Sequence, residues 1–240
     1  VSSGTVRVAS PDHPLHLESN TTLDEAHIAY EIIGAAAASS VVLVCHALTG
    51  DAHVARHEAD DRPGWWDTLV GPGRAIDTDR HTVICSNVLG GCSGSTGPTS
   101  VSCRTGRPFG ADFPRVTIGD MVDAQARLLD ALHVAGPIAV VGGSIGGFQS
   151  VEWVRRFPER VGSAAVIGSG VHLGAFGLAF NQVGRNAIRT DPRFNEGRYA
   201  TDHPPADGLA VARQLAHLTY RTAPSFDERF GRRLVDQGQM

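Results

Sequence analysis

The sequence contains no lysine: all 21 of its basic residues are arginine. That absence removes Schiff-base chemistry and lysine general bases. It also removes the phosphate-binding P-loop, which needs a lysine after its glycines. Cysteine is scarce, with Cys45, Cys85, Cys92 and Cys103 at no C-x-x-C spacing, so no thiolate metal centre is expected. Cys45 and Cys85 sit in apolar runs, where a free cysteine acts as a small buried hydrophobe. Cys92 and Cys103 fall in a Gly/Ser-rich stretch; a disulfide between them is one reading, and free thiols in a cytoplasmic setting are the expected state. No apolar run approaches the ~20 residues of a membrane span, and Val1–Thr5 lacks the serial regions of a signal peptide. A net charge of -4 without basic runs gives no electrostatic footprint for nucleic acid. Neither a bound cofactor nor a metal is expected.

What is present is organised around one stretch. Ile138-Ala139-Val140-Val141 is a short apolar run that reads as a buried parallel strand. Gly142-Gly143-Ser144-Ile145-Gly146 follows as G-x-S-x-G, and Phe148–Phe157 then reads as a helix stopped by Pro158. The dinucleotide fingerprint G-x-G-x-x-G fails because Ser144 stands where its second glycine belongs. A glycine-rich turn can be a plain tight connection. Strand, glycine-flanked serine and helix together favour a nucleophile elbow, with Ser144 as nucleophile and the Ile145 amide aimed at an oxyanion.

Around this centre the chain alternates. Thr5–Val8, Leu15–Leu17 and Ala26–Ile33 suggest an N-terminal antiparallel hairpin. Val41–Cys45 and Thr82–Ser86 read as buried strands, and Ala164–Gly168 as another. Thr117 and Asp120 form a capping-box-like pair before a helix. Strands alternating with helices argue a mostly parallel sheet with helices on both faces. With the elbow, this is the α/β-hydrolase arrangement, in which the loop after Val41–Cys45 supplies the second oxyanion amide; Leu48 is assigned that role. His46 is expected to pack and hydrogen-bond, and His53 and His57, in a polar loop, to be solvated. Trp65 and Trp66 suit a satellite core cluster. Asn87–Gly110 is a long Gly/Ser/Thr/Pro loop of the kind that is often functional or mobile; phosphate binding at Gly94–Gly97 is weakly signalled. Beyond residue 172 helices replace the alternation, at about 178–189, 207–220 and 225–235. The expected organisation is a core over residues 1–171 and a helical lid over 172–240.

Several motifs occur together: Cys45-His46-Ala47-Leu48-Thr49-Gly50-Asp51, Gly64-Trp65-Trp66-Asp67, Cys85-Ser86-Asn87-Val88-Leu89-Gly90-Gly91-Cys92 with Gly94-Ser95-Thr96-Gly97-Pro98, the Gly142–Gly147 elbow, Phe180-Asn181-Gln182-Val183-Gly184-Arg185, and Ala216-His217-Leu218-Thr219-Tyr220. In this combination the chain resembles the homoserine O-acetyltransferase family over nearly its whole length. The resemblance implies ping-pong transfer of an acetyl group from acetyl-CoA, through Ser144, to the hydroxyl of L-homoserine. It also implies methionine biosynthesis, a cytoplasmic homodimer, and a lid helix whose Arg213 and Tyr220 contact the amino-acid substrate. Arg213 suits a carboxylate because its fork donates two parallel hydrogen bonds; Arg185 is a weaker candidate. The triad order is serine, acid, histidine, yet only 96 residues follow Ser144. His172, His203 and His217 do not fit the base. The expectation is a C-terminally shortened member that lacks the triad aspartate, the histidine and the last strands, and is nearly inactive and aggregation-prone alone. A serine esterase or thioesterase, a member using succinyl-CoA or serine, and a non-catalytic remnant that binds CoA or a full-length partner are the competing readings.

Overall fold

The computed structural model describes residues 2–34, 40–200 and 202–232. The chain divides into two compact units, Val1–Val171 and His172–Met240.

The first unit is built on six strands: β1 (Ser2–Ala9), β2 (Ala26–Gly34), β3 (Val41–Cys45), β4 (Thr82–Ser86), β5 (Ile138–Gly143) and β6 (Val161–Ile167). They lie in the order β1-β2-β4-β3-β5-β6. The β1–β2 and β2–β4 pairs are antiparallel, and the β4–β3, β3–β5 and β5–β6 pairs are parallel. The central β3 is an uninterrupted apolar run because both its faces are covered. Leu43 and Cys45 join Ile84, Val140 and Trp153 on the face packed by α1 (Ile118–Ala131) and α2 (Ile145–Arg156). Val42 and Val44 join Val83 and Cys85 on the other face, under a segment that contributes Val54, Trp65, Trp66 and Val70. Burial pushes the Cys45 thiol up to about 12 and raises that of Cys85 well above its ordinary value, so both are inert at neutral pH.

α1 opens with a full capping box: Thr117 Oγ1 accepts the Asp120 N–H at 3.2 Å, and Asp120 Oδ2 accepts the Thr117 N–H at 2.8 Å. The remaining oxygen of Asp120 accepts the Glu18 N–H at 2.9 Å, so one buried carboxylate starts the helix and anchors an N-terminal loop. Between α1 and α2 runs a buried polar chain. Trp153 Nε1 donates to Gln125 Oε1 at 2.8 Å, Gln125 Nε2 donates to Gln149 Oε1 at 2.8 Å, and Gln149 Nε2 donates to the Ile145 carbonyl at 3.4 Å. This chain ties the first turn of α2 to α1.

The long loop after β4 is pinned to β2. Ser95 Oγ accepts the Ala29 N–H at 3.0 Å, Thr96 Oγ1 accepts the His27 N–H at 2.8 Å, and the Thr96 N–H donates to the His27 carbonyl at 2.8 Å. The hydroxyls weighed above for phosphate binding are thus buried and spent on strand backbone. At the other side of the sheet, β6 is the edge, and Gly162–Ile167 are exposed along it.

The second unit holds α3 (Ala175–Thr190), α4 (Ala206–Thr219) and α5 (Ala223–Phe230). Asp191 closes α3 onto α4: its two oxygens accept the Arg193 and Gly208 N–H groups, each at 2.9 Å. The Gly208 and Arg193 amides hold this carboxyl down at about 2.

Replacing Gln125 by leucine strands the Trp153 indole N–H and the Gln149 side-chain carbonyl in the core, so Gln125→Leu is expected to lose ~1–3 kcal/mol in urea unfolding despite its greater apolarity. The Asp191 carboxyl titrates below its ordinary 3.8 when folded. Its contribution is therefore whole above that value and fades as pH falls towards about 2. Between about pH 5 and about pH 3 the melting temperature of the protein is expected to fall more than that of Asp191→Asn.

Candidate active site at the glycine-flanked turn

β5 ends and α2 begins around Ser144, whose backbone sits at φ 55°, ψ -119°. A side chain-bearing residue in that region costs ~1–3 kcal/mol and persists only where its surroundings over-determine it. Here they do. The Ser144 N–H donates to the Ile167 carbonyl on β6 at 3.0 Å, and its own carbonyl accepts the Gly147 and Phe148 N–H groups at 2.9 and 3.3 Å. Serine at a helix N-cap usually spends its hydroxyl on the first turn, but Ser144 makes no such bond. Its side chain is exposed, and no imidazole or carboxylate among the described residues of the first unit hydrogen-bonds to it.

The flanking glycines are required by contact. A Cβ on Gly142 would meet the Gly146 carbonyl oxygen at 2.1 Å, one on Gly146 the Cys45 carbonyl oxygen at 2.0 Å, and one on Gly147 the Ser169 Cβ at 2.5 Å. At Gly143 the nearest atom would be 3.7 Å away. The loop after β3 therefore abuts the start of α2.

That loop is shaped by His46, which is buried. Its Nδ1 donates to the Ala47 carbonyl at 2.7 Å and its Nε2 accepts the Val88 N–H at 3.0 Å. Both nitrogens are engaged and burial lowers its pKa, so His46 is a neutral spacer. The turn it sets is closed by the Gly50 N–H on the Ala47 carbonyl at 2.9 Å. Leu48 sits at its exposed tip. Neither the Leu48 nor the Ile145 N–H meets an acceptor among the described residues. Cys45 and Gly142 pair across β3 and β5, so both amides emerge at the same end of the sheet as Ser144. A helix N-terminus carries partial positive charge, and this end can stabilise an anion formed at Ser144.

Arg213 lies on α4 of the second unit and Tyr220 is its C-cap. Seven residues apart, they share one side of the helix, and both are exposed. Arg185, on α3, donates to the Gln182 side chain at 2.7 Å.

One expectation is overturned. The loop composition predicted solvated rings for His53 and His57, but His53 is only 3% exposed, and both rings converge on Glu31. The partner lies 22 and 26 residues earlier in the chain, on β2, where no local pattern announces it.

The strand, elbow and helix have the arrangement of the α/β-hydrolase type. The chain matches the alpha/beta hydrolase fold family over residues 40–240 and belongs to it. Relatives that match it include proteins named homoserine O-acetyltransferase and homoserine O-succinyltransferase. The homoserine O-acetyltransferase of Symbiobacterium thermophilum is 53% identical over 94% of this chain and 60% of its own length. The homoserine O-succinyltransferase of Azoarcus sp. is 53% identical over 97% and 64%. The chain therefore spans about three-fifths of those two relatives. Among solved structures, homoserine O-acetyltransferase from Bacillus anthracis matches with a TM-score of 0.86 at 27% identity, over 98% of this chain and 64% of that one. Esterase E22 matches at 0.83 and 29%, over 98% and 67%.

The elbow contacts separate two neighbouring glycines. Gly146→Ala is expected to unfold the turn and lower stability by ~3 kcal/mol or more, whereas Gly143→Ala should stay within ~0.5 kcal/mol in the same thermal or urea denaturation.

Proposed function

We propose that this chain carries the nucleophile and oxyanion half of an acyltransferase that moves an acetyl group from acetyl-CoA to the hydroxyl of L-homoserine. The observation that carries the reading is Ser144, held at φ 55° with an unspent hydroxyl at the sheet end where the Leu48 and Ile145 amides emerge. Ser144 Oγ attacks the thioester carbonyl and the two amides receive the oxyanion. The C–S bond breaks, CoA leaves as the thiol, and the acyl group rests on Ser144. The homoserine hydroxyl then attacks the ester and regenerates the serine. Splitting one transfer into two easier ones is what a covalent nucleophile offers, and each oxyanion donor contributes ~3 kcal/mol. Arg213 would hold the substrate carboxylate through its fork, with Tyr220 on the same side of the helix. The reading carries with it methionine biosynthesis, a cytoplasmic setting and a homodimer. Relatives named for acetyl and for succinyl transfer leave the donor as a choice between two acyl-CoA esters.

A serine hydroxyl is a weak nucleophile until a base activates it. With no imidazole on Ser144 among the described residues of the first unit, the 240-residue chain alone is expected to acylate poorly. The likeness to esterase E22 supports a second reading, in which water takes the acyl group.

The test joins the chain to the part of the Symbiobacterium relative that it does not match. With acetyl-CoA, intact-mass spectrometry should show an acetyl adduct on this chimera, none on its Ser144→Ala variant, and little on the chain alone. Homoserine should discharge the adduct as O-acetylhomoserine. Discharge to acetate whether or not homoserine is present would establish the esterase reading. In the chimera, Arg213→Ala should raise the KM for homoserine by roughly ten- to a hundredfold, the value of a lost charged hydrogen-bond pair.

A further inference from the structure

On the sheet face away from α1 and α2, three metal-binding side chains meet. Glu31 points from β2 towards the segment that follows the Leu48 turn. His53 and His57 come down onto it from that segment. Glu31 Oε2 lies 3.0 Å from His53 Nδ1 and 2.7 Å from His57 Nε2. The ligand atoms of all three residues lie within 4.8 Å of one another. His53 and His57 stand at an H-x3-H spacing common among metal ligands, but nothing local marks Glu31, 22 residues before His53, as their partner.

The hydrogen bonds around His53 define what the cluster needs. Its Nε2 faces the Arg62 carbonyl at 2.9 Å. A carbonyl only accepts, so Nε2 carries a proton. In a neutral ring Nδ1 then presents a lone pair, and it presents it to a carboxylate oxygen. Two lone pairs cannot rest 3.0 Å apart in a site where His53 is only 3% exposed without a proton or a cation between them. A proton shared by the ring and the carboxyl is one answer; a metal ion is the other. The metal answers to more of the surroundings. It takes the lone pairs of both imidazoles and the carboxylate at once. Arg62 already makes the outer contact, N–H to backbone carbonyl, that orients a ligating histidine. Two imidazoles and one carboxylate are a donor set that zinc accepts with one position left for water.

The dimensions fit after a small relaxation. Zinc bonds of ~2.0–2.1 Å place tetrahedral ligand atoms roughly 3.3 Å apart, wider than the 3.0 and 2.7 Å from Glu31 to the two rings and inside the 4.8 Å that spans all three ligand atoms. His57 is the ligand able to yield. It is partly exposed and lines a cavity of about 440 Å³ with Arg56, Thr78 and Asp79, which gives an ion a way in. We propose that Glu31, His53 and His57 form a site for a divalent transition metal, zinc being the ion best matched, that staples the 51–67 segment to β2. The site is distinct from Ser144 and stands independently of the acyl-transfer reading.

The test uses the 240-residue chain, stripped with a chelator, in a Cys92→Ser/Cys103→Ser background so that exposed thiols do not bind metal. Zinc is the probe, followed by calorimetry and metal analysis after dialysis. One zinc per chain is expected, together with a rise in melting temperature. His57→Ala and, as a milder change, His57→Gln are expected to weaken binding by well over about tenfold, more than the loss of an outer partner does. Cobalt in place of zinc should show the visible absorption of a low-coordinate site in the parent and not in the variants. No zinc retained by the parent protein would overturn the proposal and leave a plain hydrogen bond between Glu31 and His53. Stoichiometric binding unchanged in both His57 variants would overturn it equally.

Discussion

The carbonyl oxygen of Cys45 lies 2.0 Å from where a Cβ on residue 146 would stand. This close approach of two backbones is the constraint on which the rest of the site depends. β3 and β5 run in parallel register, with Cys45 opposite Gly142. The chain leaving β5 must therefore reverse within a few residues without striking the end of β3. Glycine at 142 and 146 clears the path, and Ser144 absorbs the reversal at φ 55°. The resulting strain of ~1–3 kcal/mol is offset where α2 lands. Trp153 is fully buried there, a gain of ~1.5–3 kcal/mol for a large side chain, and its indole N–H closes the chain of amides that reaches back to Ile145. A strained serine and a buried tryptophan are thus two ends of one arrangement.

How much of this a reader could see in the sequence differs by feature, for physical reasons. The elbow was legible because its demands are local: glycine spacing, an apolar run before it and a helix after it. The parallel core was legible because strands covered on both faces need unbroken apolar runs, as in Val41–Cys45. The amide chain was hidden, although Gln125 leaves a trace: it stands with Val122 and Leu129 on the apolar stripe of α1, and a polar residue there is a buried hydrogen bond awaiting its partner. Glu31 left no trace at all, because its partners reach it across the sheet rather than along the chain.

Three histidines within twelve positions show how far environment outweighs residue type. His46 is neutral by construction, with one nitrogen donating to a carbonyl and the other accepting an amide. His53 has an acceptor on each side, so its ring invites a cation. His57 shares the same carboxylate oxygen but keeps part of its surface open. Composition alone puts His53 and His57 in one polar loop; hydrogen-bond direction and burial set each of the three apart.

The strand order also has a kinetic meaning. Leu43 stands between Ile84 and Val140, so the central strand cannot gain both neighbours until most of the first unit's chain is available. Distant pairings incur their loop-closure entropy before any contact rewards them. The β1–β2 pair and the α3–α4 pair are close in sequence and can form early. The sheet that fixes Ser144 rests on the distant, slower pairings, and until they form the apolar runs of β3, β4 and β5 are open to the wrong partners.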